Sequence, residues 1–448
     1  MKKELSFKQN LLLASLLFGM LFGAGNLIFP VFMGQLSGKM SFVSAIGFSI
    51  TGVGLPLLGV LAIGLSQSEG LFDGSLKIGK WFAYAYTTML YLSIGALFGI
   101  PRTAAVSFTT GVTPFIKGTN EKVALFIYSL IFFALVLVFS LKPSKIIDFI
   151  GKYLNPIFLV FLFLLVALTI VNPIGNVTQL GAQEAYKAKP FFVGLLEGYN
   201  TMDGLASVAF AIVIIEAIRK MGVTAPKDIA RETVKSGSIA SIFMVLIYIS
   251  LTFAGAQIRF LGKATENGGL ILSDLAKHYY GGVGNLVLAG IMIFACLKTA
   301  IGLVTSCSET FSKMYPNLLS YRGYAVAFTL GSFLVSNFGL DAIISLSLPM
   351  LFFSYPITIV FIALLIFEKL FGKEKAVFES TMILTIVGAF LNVFSKYNFL
   401  KVEAVTNFLN MYKKLPLFDI SMEWVFFSLV GLVIGLLRLL SKKERLNK

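Results

Sequence analysis

Four side chains that can hold charge or exchange hydrogen bonds stand inside apolar stretches of this 448-residue sequence: Asn26, Arg102, Asp203 and Lys298. Two of them fall in Gly-flanked polar interruptions, Gly23-Ala24-Gly25-Asn26 with Pro30 following, and Gly198-Tyr199-Asn200-Thr201-Met202-Asp203-Gly204. A helix that restarts after Gly25 directs unpaired N–H groups and a partial positive charge at whatever faces it, which suits a carboxylate. Carbonyls freed around Gly198 to Thr201 offer acceptors to an ammonium or a small cation. The two breaks together match a zwitterionic amino acid. An apolar side chain on that ligand is easily housed by a chain with 44 Phe and only 2 Trp. Glycines in membrane helices also serve close packing alone, a reading that suits Gly52 and Gly54 but leaves Asn26 and Asp203 unexplained. Asp203 reads equally as a ligand and as an N-terminal cap for the helix that follows.

The elements that must hold these residues are membrane spans. The chain is 57% hydrophobic and 13% charged, against about 45–50% and about 25% in soluble domains. Twelve apolar runs are predicted at about 10–35, 41–65, 81–113, 123–141, 146–171, 191–218, 236–256, 284–310, 324–340, 342–366, 377–395 and 421–440, each near the roughly 20 residues of a bilayer crossing. The first run follows Lys2, Lys3 and Lys8 without an Ala-x-Ala site and is read as a retained span. Interruptions in the first and sixth runs point to an inverted repeat of runs one to five against six to ten, with the binding site at their interface.

The net charge of +15 resolves into orientation. With the amino terminus inside, 23 of the 37 basic residues fall on the inner side and 12 on the outer, leaving Arg102 and Lys298 within runs. Both termini are therefore expected in the cytoplasm. No basic patch interleaved with aromatics remains for nucleic acid, and the cluster from Arg219 to Lys235, which includes Asp228 and Glu232, reads as a helical loop near anionic headgroups. Cys296 and Cys307 are eleven helical positions apart, about 16 Å, too far for a disulfide. The single histidine, His278, removes His-rich metal sites and a Ser/His/Asp triad. Asp203, Glu216 and Glu309 are spread over the sixth and eighth runs without a paired-acid motif, which argues against a membrane enzyme. The polar interruptions concentrate at one depth, which argues against a channel. No cofactor is expected beyond a coupling ion, and no feature calls for an obligate protein partner.

Several segments carry a resemblance. Gly23 to Pro30, Gly52 to Gly59, Ile100-Pro101-Arg102-Thr103-Ala104, Gly198 to Ala206 and Ala295 to Leu303 resemble the bacterial branched-chain amino acid:cation symporter family, over about residues 8–440. That family is similar to the wider amino acid–polyamine–cation transporters with a LeuT-like fold. The resemblance implies an all-α polytopic membrane protein with ten core helices in a five-plus-five inverted repeat, about 10–171 and 191–366, and two peripheral helices at about 377–440. It also implies uptake of leucine, isoleucine and valine across the cytoplasmic membrane, driven by Na+ or H+; a rival within the fold is an aromatic amino acid or a purine. Carried over position by position, it places substrate at Gly23, Ala24, Gly25, Asn26, Tyr199, Asn200, Thr201 and Asp203, with a possible Na+ near Asn26.

Lys298 is where the sequence departs from sodium-coupled relatives. The resemblance sets Ala295, Lys298 and Thr299 where a second sodium site takes a carbonyl and two hydroxyls, so a Ser or Thr is expected at 298. An ammonium there replaces the ion and ties the eighth run to the first near Gly19 and Phe22. The competing reading is that the lysine stem carries its charge to water or toward Glu309. Arg102 reads either as part of an external gate or as a mark of the outer water boundary. Gly268 to Ala276 reads as a short helix, with or without a lid role.

Overall fold

The computed structural model describes residues 4–116, 120–142, 147–262, 265, 268–371, 374–397 and 403–446. Of the basic residues used for orientation, Lys2, Lys3, Lys117, Lys145, Lys263, Lys373, Lys401 and Lys448 lie outside them, as does residue 146 at the start of the fifth run. Every described regular element is helical, as expected for apolar stretches that must satisfy their backbone internally within lipid. Among the described residues nine helices are long and apolar enough to cross a membrane, or ten if the bent pair Pro190–Thr201 and Asp203–Lys220 forms one span. The twelve expected crossings thus stand against nine or ten described helices of spanning length. Helices do occupy all twelve predicted runs, but Phe7–Leu21 and Gly25–Ser37 are each short, and Tyr321–Ser336 has 16 residues.

The breaks lie where the polar interruptions placed them. Phe7–Leu21 stops at Phe22, which turns extended (φ −77°, ψ 91°), and the helix resumes as Gly25–Ser37 with Ala24 as its cap. In the sixth run Pro190–Glu197 tightens through Gly198–Thr201, passes Met202 in the left-handed region (φ 66°), and resumes as Asp203–Lys220 at a 45° bend. A non-glycine residue held there costs about 1–3 kcal/mol. The third run is broken too: Gly95 (φ −87°, ψ −121°) and Phe98 interrupt Lys80–Leu92 and Gly99–Ser107. The seventh run starts ten residues before its apolar portion, at Pro226, which takes the first helical turn as its missing N–H allows. The cluster around Lys227 to Lys235 is therefore the base of a 32-residue helix (Pro226–Gln257) rather than a separate loop.

That base latches the start of the first run. Glu232, fully buried, accepts from the Leu5 N–H (3.2 Å), Asn10 Nδ2 (2.9 Å) and Lys235 Nζ (3.0 Å), while Arg231 pairs Glu4 at 3.0 Å. Deeper in, glycines allow two pairs of half-helices to touch backbone to backbone. A Cβ on Gly34 would meet the Thr252 carbonyl and one on Gly255 the Val31 carbonyl, so Gly25–Ser37 lies directly on Pro226–Gln257. Gly47 against the Phe191 carbonyl and Gly194 against the Ser44 carbonyl bring Ser41–Ser49 onto Pro190–Glu197 in the same reciprocal way. Such approach is what small residues provide where hydrophobic burial adds nothing between helices in lipid. Gly268–Tyr280 sits over the second half of the first run, with Gly268 against the Ile28 carbonyl. The last two described long helices, Lys375–Lys396 and Trp424–Leu446, pack on each other through Gly388, Gly431 and Gly435.

Gly255→Val should therefore separate two backbones and lower stability by about 3 kcal/mol or more. Gly282→Ala, with open space around it, should leave the melting temperature of the detergent-solubilised protein unchanged, and that pair of melting curves is the check.

Candidate functional site

The three broken helices meet around one cavity of about 50 Å³, room for a few water-sized groups at about 10–15 Å³ each. Gly23, Ala24, Gly25 and Asn26 line it from the first run, Thr201, Met202 and Asp203 from the sixth, Ile94, Gly99 and Arg102 from the third, and Thr299 and Leu303 from the eighth. Its polar joint is Asn26. The Asn26 Oδ1 accepts from the Gly23 N–H at 2.9 Å, which satisfies a donor left over by the break. Asn26 Nδ2 donates to Asp203 Oδ2 and, at 2.5 Å, to the Tyr248 hydroxyl; that hydroxyl donates in turn to Asp203 Oδ2 at 3.4 Å. One side chain thus binds its own helix break, the sixth run and the seventh.

Asp203 does not cap its helix with its carboxylate. Met202 occupies the cap position, and the Asp203 N–H donates to Thr201 Oγ1 at 3.2 Å. The same Thr201 hydroxyl donates to the Gly198 carbonyl at 2.9 Å. Between them Thr201, Asp203 and Asn26 satisfy both sides of the sixth break. Tyr199 and Asn200 do not line the cavity: the Tyr199 ring stacks on Tyr355 with centroids 4.0 Å apart, and Asn200 Nδ2 donates to Glu197 at 2.9 Å.

Arg102 is buried, 6% exposed, and so does not mark a water boundary. Its Nη1 donates to the Asn200 carbonyl at 3.0 Å, and its guanidinium carbon lies 4.7 Å from the centre of the Phe29 ring. The third run's break brings this residue to the site, since Gly95 to Phe98 redirect the chain just before it.

Lys298 lies in a separate compartment. It is 0% exposed, donates to Asn155 Oδ1 at 2.9 Å, and stands 3.5 Å from the Phe158 ring centre, with Phe18 at 5.1 Å and Phe22 at 5.8 Å. The lysine stem therefore does not carry its charge to water, and Glu309 is about 16 Å further along the helix. Aromatic faces and an amide oxygen are the partners a desolvated ammonium can use without a counter-ion. Asn155 is itself held by Ser15 through Nδ2 (3.0 Å to Oγ), and Gly19 leaves room for Ile150 beside it. Ala295 is buried on the same helix, and Thr299 Oγ1, without a hydrogen-bond partner, faces Gly23. Among the described residues no group of three or more His, Cys, Asp or Glu side chains could hold a metal ion. Cys296 and Cys307 are both buried and free.

Sequence reasoning missed Tyr248, Asn155, Phe158 and the third break. Gly95, Gly99 and Pro101 flank the break but read equally as packing residues, and Asn155-Pro156 marks a polar position in an apolar run without pointing to the lysine as its partner. Tyr248 carries no local signal.

Comparison with known proteins adds an independent line. The profile of a family described as "Branched-chain amino acid transport protein" matches residues 6–442. The branched-chain amino acid permease BrnQ of Lactobacillus delbrueckii subsp. lactis is 41% identical over 447 residues, covering 99% of this chain and all of the relative. The branched-chain amino acid permease BraB of Bacillus subtilis is 41% identical over 439 residues, 97% of this chain and 96% of the relative. Among solved structures, the closed conformation of Mhp1, a nucleobase-cation-symport-1 family transporter with bromovinylhydantoin bound, superposes with a TM-score of 0.58 at 13% identity, covering 97% of this chain and 93% of Mhp1. A Na+-coupled sialic acid symporter in a substrate-bound outward-open state does so with a TM-score of 0.51 at 15% identity, over 96% of each chain. The chain shares the LeuT-like fold of these transporters.

Asn26→Ala removes the acceptor of the Gly23 N–H and a donor to a buried carboxylate, so it should cost about 2–3 kcal/mol. Tyr248→Phe keeps the ring against Phe22 and Phe48 and should cost about 1 kcal/mol. Denaturation of the two variants in detergent measures the difference; equal losses would contradict Asn26 as the shared joint.

Proposed function

Because the chain belongs to the branched-chain amino acid transport protein family, matched over residues 6–442, we propose that it imports leucine, isoleucine and valine by symport with Na+ or H+, through alternating access. It is a multi-pass membrane carrier, not an enzyme. The observation that carries the substrate reading is the cavity where Gly23 to Asn26 of one broken helix face Thr201 and Asp203 of another. Among the described residues the Gly25 and Asn26 N–H groups, first in their helix, have no backbone acceptor, and these suit a carboxylate. Asp203 is the acid on the opposite wall and suits an ammonium. Met20, Leu21, Ile94, Phe210 and Leu303 supply the apolar surface a branched side chain needs.

The five-plus-five repeat, spans one to five (about 10–171) against six to ten (about 191–366), is supported by the glycine contacts. Exchanging the first run for the sixth and the second for the seventh turns the contact of Gly25–Ser37 with the seventh run, Gly34 on Thr252, into that of Asp203–Lys220 with the second, Gly59 on Ser207, and the contact of Phe7–Leu21 with the seventh, Gly237 facing Leu17, into that of Pro190–Glu197 with the second, Gly194 on Ser44. Runs eleven and twelve, about 377–440, are then peripheral, which gives twelve spans. Runs one, two, six and seven form a unit that rocks against the remainder of the core. The inner surplus of Lys and Arg supports cytoplasmic termini, and the Glu232 latch then closes the cytoplasmic end of the first run.

Lys298 occupies the place of a second cation. Its ammonium joins the eighth run to Asn155 of the fifth and to Phe18 and Phe22 of the first, with Gly19 packed against Asn155 and Ala295 and Thr299 on the same helix. Coupling then falls to one ion at the Asn26–Asp203 joint. A sodium ion beside Asn26 would compete with the Gly23 N–H for the amide oxygen, whereas a proton on Asp203 needs no such change. Substrate and ion stabilise each other there, which is the thermodynamic content of coupling.

Proteoliposomes loaded with opposed Na+ or H+ gradients test both levels. Labelled leucine should accumulate under one gradient and be displaced by isoleucine and valine; displacement only by phenylalanine or a purine would overturn the substrate. Lys298→Thr should either abolish uptake or make it newly dependent on Na+. Unchanged ion dependence in a folded Lys298→Thr protein would remove the ammonium from the coupling scheme.

A further inference from the structure

We propose that Arg102 is the carboxylate anchor of the amino-acid site, donating through Nη2 to the substrate beside the N–H groups of Gly25 and Asn26. This rests on the substrate class proposed above and deepens it. The guanidinium is 94% buried, and only one of its ends has a hydrogen-bond acceptor in the described residues: Nη1 reaches the Asn200 carbonyl, while Nη2 has no partner. A buried charged donor without an acceptor is costly, and few native structures tolerate one without a reason. The free Nη2 points into the cavity at the helix break. It lies 3.4 Å from where a Cβ on Gly25 would sit, and the Thr201 Cα lies at the same distance from that point. The missing side chain at 25 is thus a niche bordered by a charged N–H, the start of a helix and the sixth-run backbone.

Asp203 is not the absent acceptor. No salt bridge joins it to Arg102 among the described residues, and its Oδ2 is taken by Asn26 and Tyr248. Two contacts hold the guanidinium away from it: the Asn200 carbonyl at one edge and the Phe29 ring over its face. The cavity therefore presents a cationic donor and an acid that make no direct contact with each other among the described residues. A zwitterion placed between them meets both. Because the planar fork is oriented in advance, little ordering is left to the moment of binding. Ligands lacking the carboxylate leave Nη2 unpaired and are rejected, as sites built to hydrogen-bond a group reject analogues without it. A transported amino acid is thus distinguished from its alcohol or amine by Arg102, a third-run residue outside the inferred one–two–six–seven unit.

Binding of leucine and of leucinol to the purified carrier in detergent provides the test, with wild type, Arg102→Gln and Arg102→Lys compared. Wild type should prefer leucine by at least about 30-fold, the lower bound for losing one partner of a buried charged pair. Arg102→Gln should lose that much affinity for leucine while leucinol binding changes less than about threefold, so that the preference disappears. Arg102→Lys, which keeps the charge but not the fork, should be intermediate and serves if the glutamine variant does not fold. If Arg102 only pins the Asn200 carbonyl, both ligands weaken together and the leucine-to-leucinol ratio persists, which overturns the proposal. Absence of leucine binding by wild type overturns the substrate reading and this anchor with it; leucine binding with an unchanged ratio in the variants overturns the anchor alone.

Discussion

Interrupting a helix inside a bilayer leaves backbone donors and acceptors that neither lipid nor the helix can satisfy, and this chain does so three times around one point. Each orphan must find a partner in the protein. The Gly23 N–H is met by Asn26, the Gly198 carbonyl and the Asp203 N–H by Thr201, and the Asn200 carbonyl by Arg102. The polar side chains at the cavity therefore satisfy the breaks and, on the proposed reading, also face the ligand. That double duty ties stability to binding: a substitution that removes a site residue also removes the partner of a broken helix. It also accounts for the crowding of polarity into one small volume within an apolar core.

The two breaks in the first and sixth runs were legible in the amino-acid order because glycine, asparagine and aspartate interrupt otherwise continuous apolar residues. The third break was not, since Gly95 and Gly99 stand among apolar neighbours and glycine there reads equally as a packing residue. Tyr248 and Asn155 were hidden for another reason. Their importance lies in partners 222 and 143 positions away, Asn26 and Lys298, and nothing local distinguishes a tyrosine facing the site from one facing lipid. At the seventh run the expected helical loop is continuous with the span: Lys227, Arg231 and Lys235 lie on the base of Pro226–Gln257, whose Glu232 is buried against the first run. At Lys298 the expected neighbour Phe22 stands 5.8 Å away, but Phe18 and Phe158, which complete the aromatic enclosure, come from the first and fifth runs and carry no signal in the eighth.

Glycine contacts divide the mechanical properties of the bundle. Where Gly34, Gly255, Gly47 and Gly194 bring backbones together, few side chains intervene to slide or change rotamer, so each clasped pair behaves as one stiff body. Flexibility is left to the breaks, where Met202 already occupies a left-handed conformation. On the proposed reading, the binding groups sit at the breaks between these elements, and a ligand that orders a break fixes the angle between them.

The enclosed ammonium of Lys298 has an energetic consequence for a carrier that works across a charged membrane. An ion carried through a potential of 100 mV contributes about 2.3 kcal/mol of driving force per elementary charge, equivalent to roughly a 50-fold concentration gradient. A lysine tied to Asn155 and three phenylalanines stays inside the protein through every cycle and carries no net charge between compartments. On the reading in which it stands for a second cation, the chain keeps that ion's cohesive role and gives up its electrical work. The steepest accumulation it can sustain is then lower, and each amino acid imported draws less on the membrane potential.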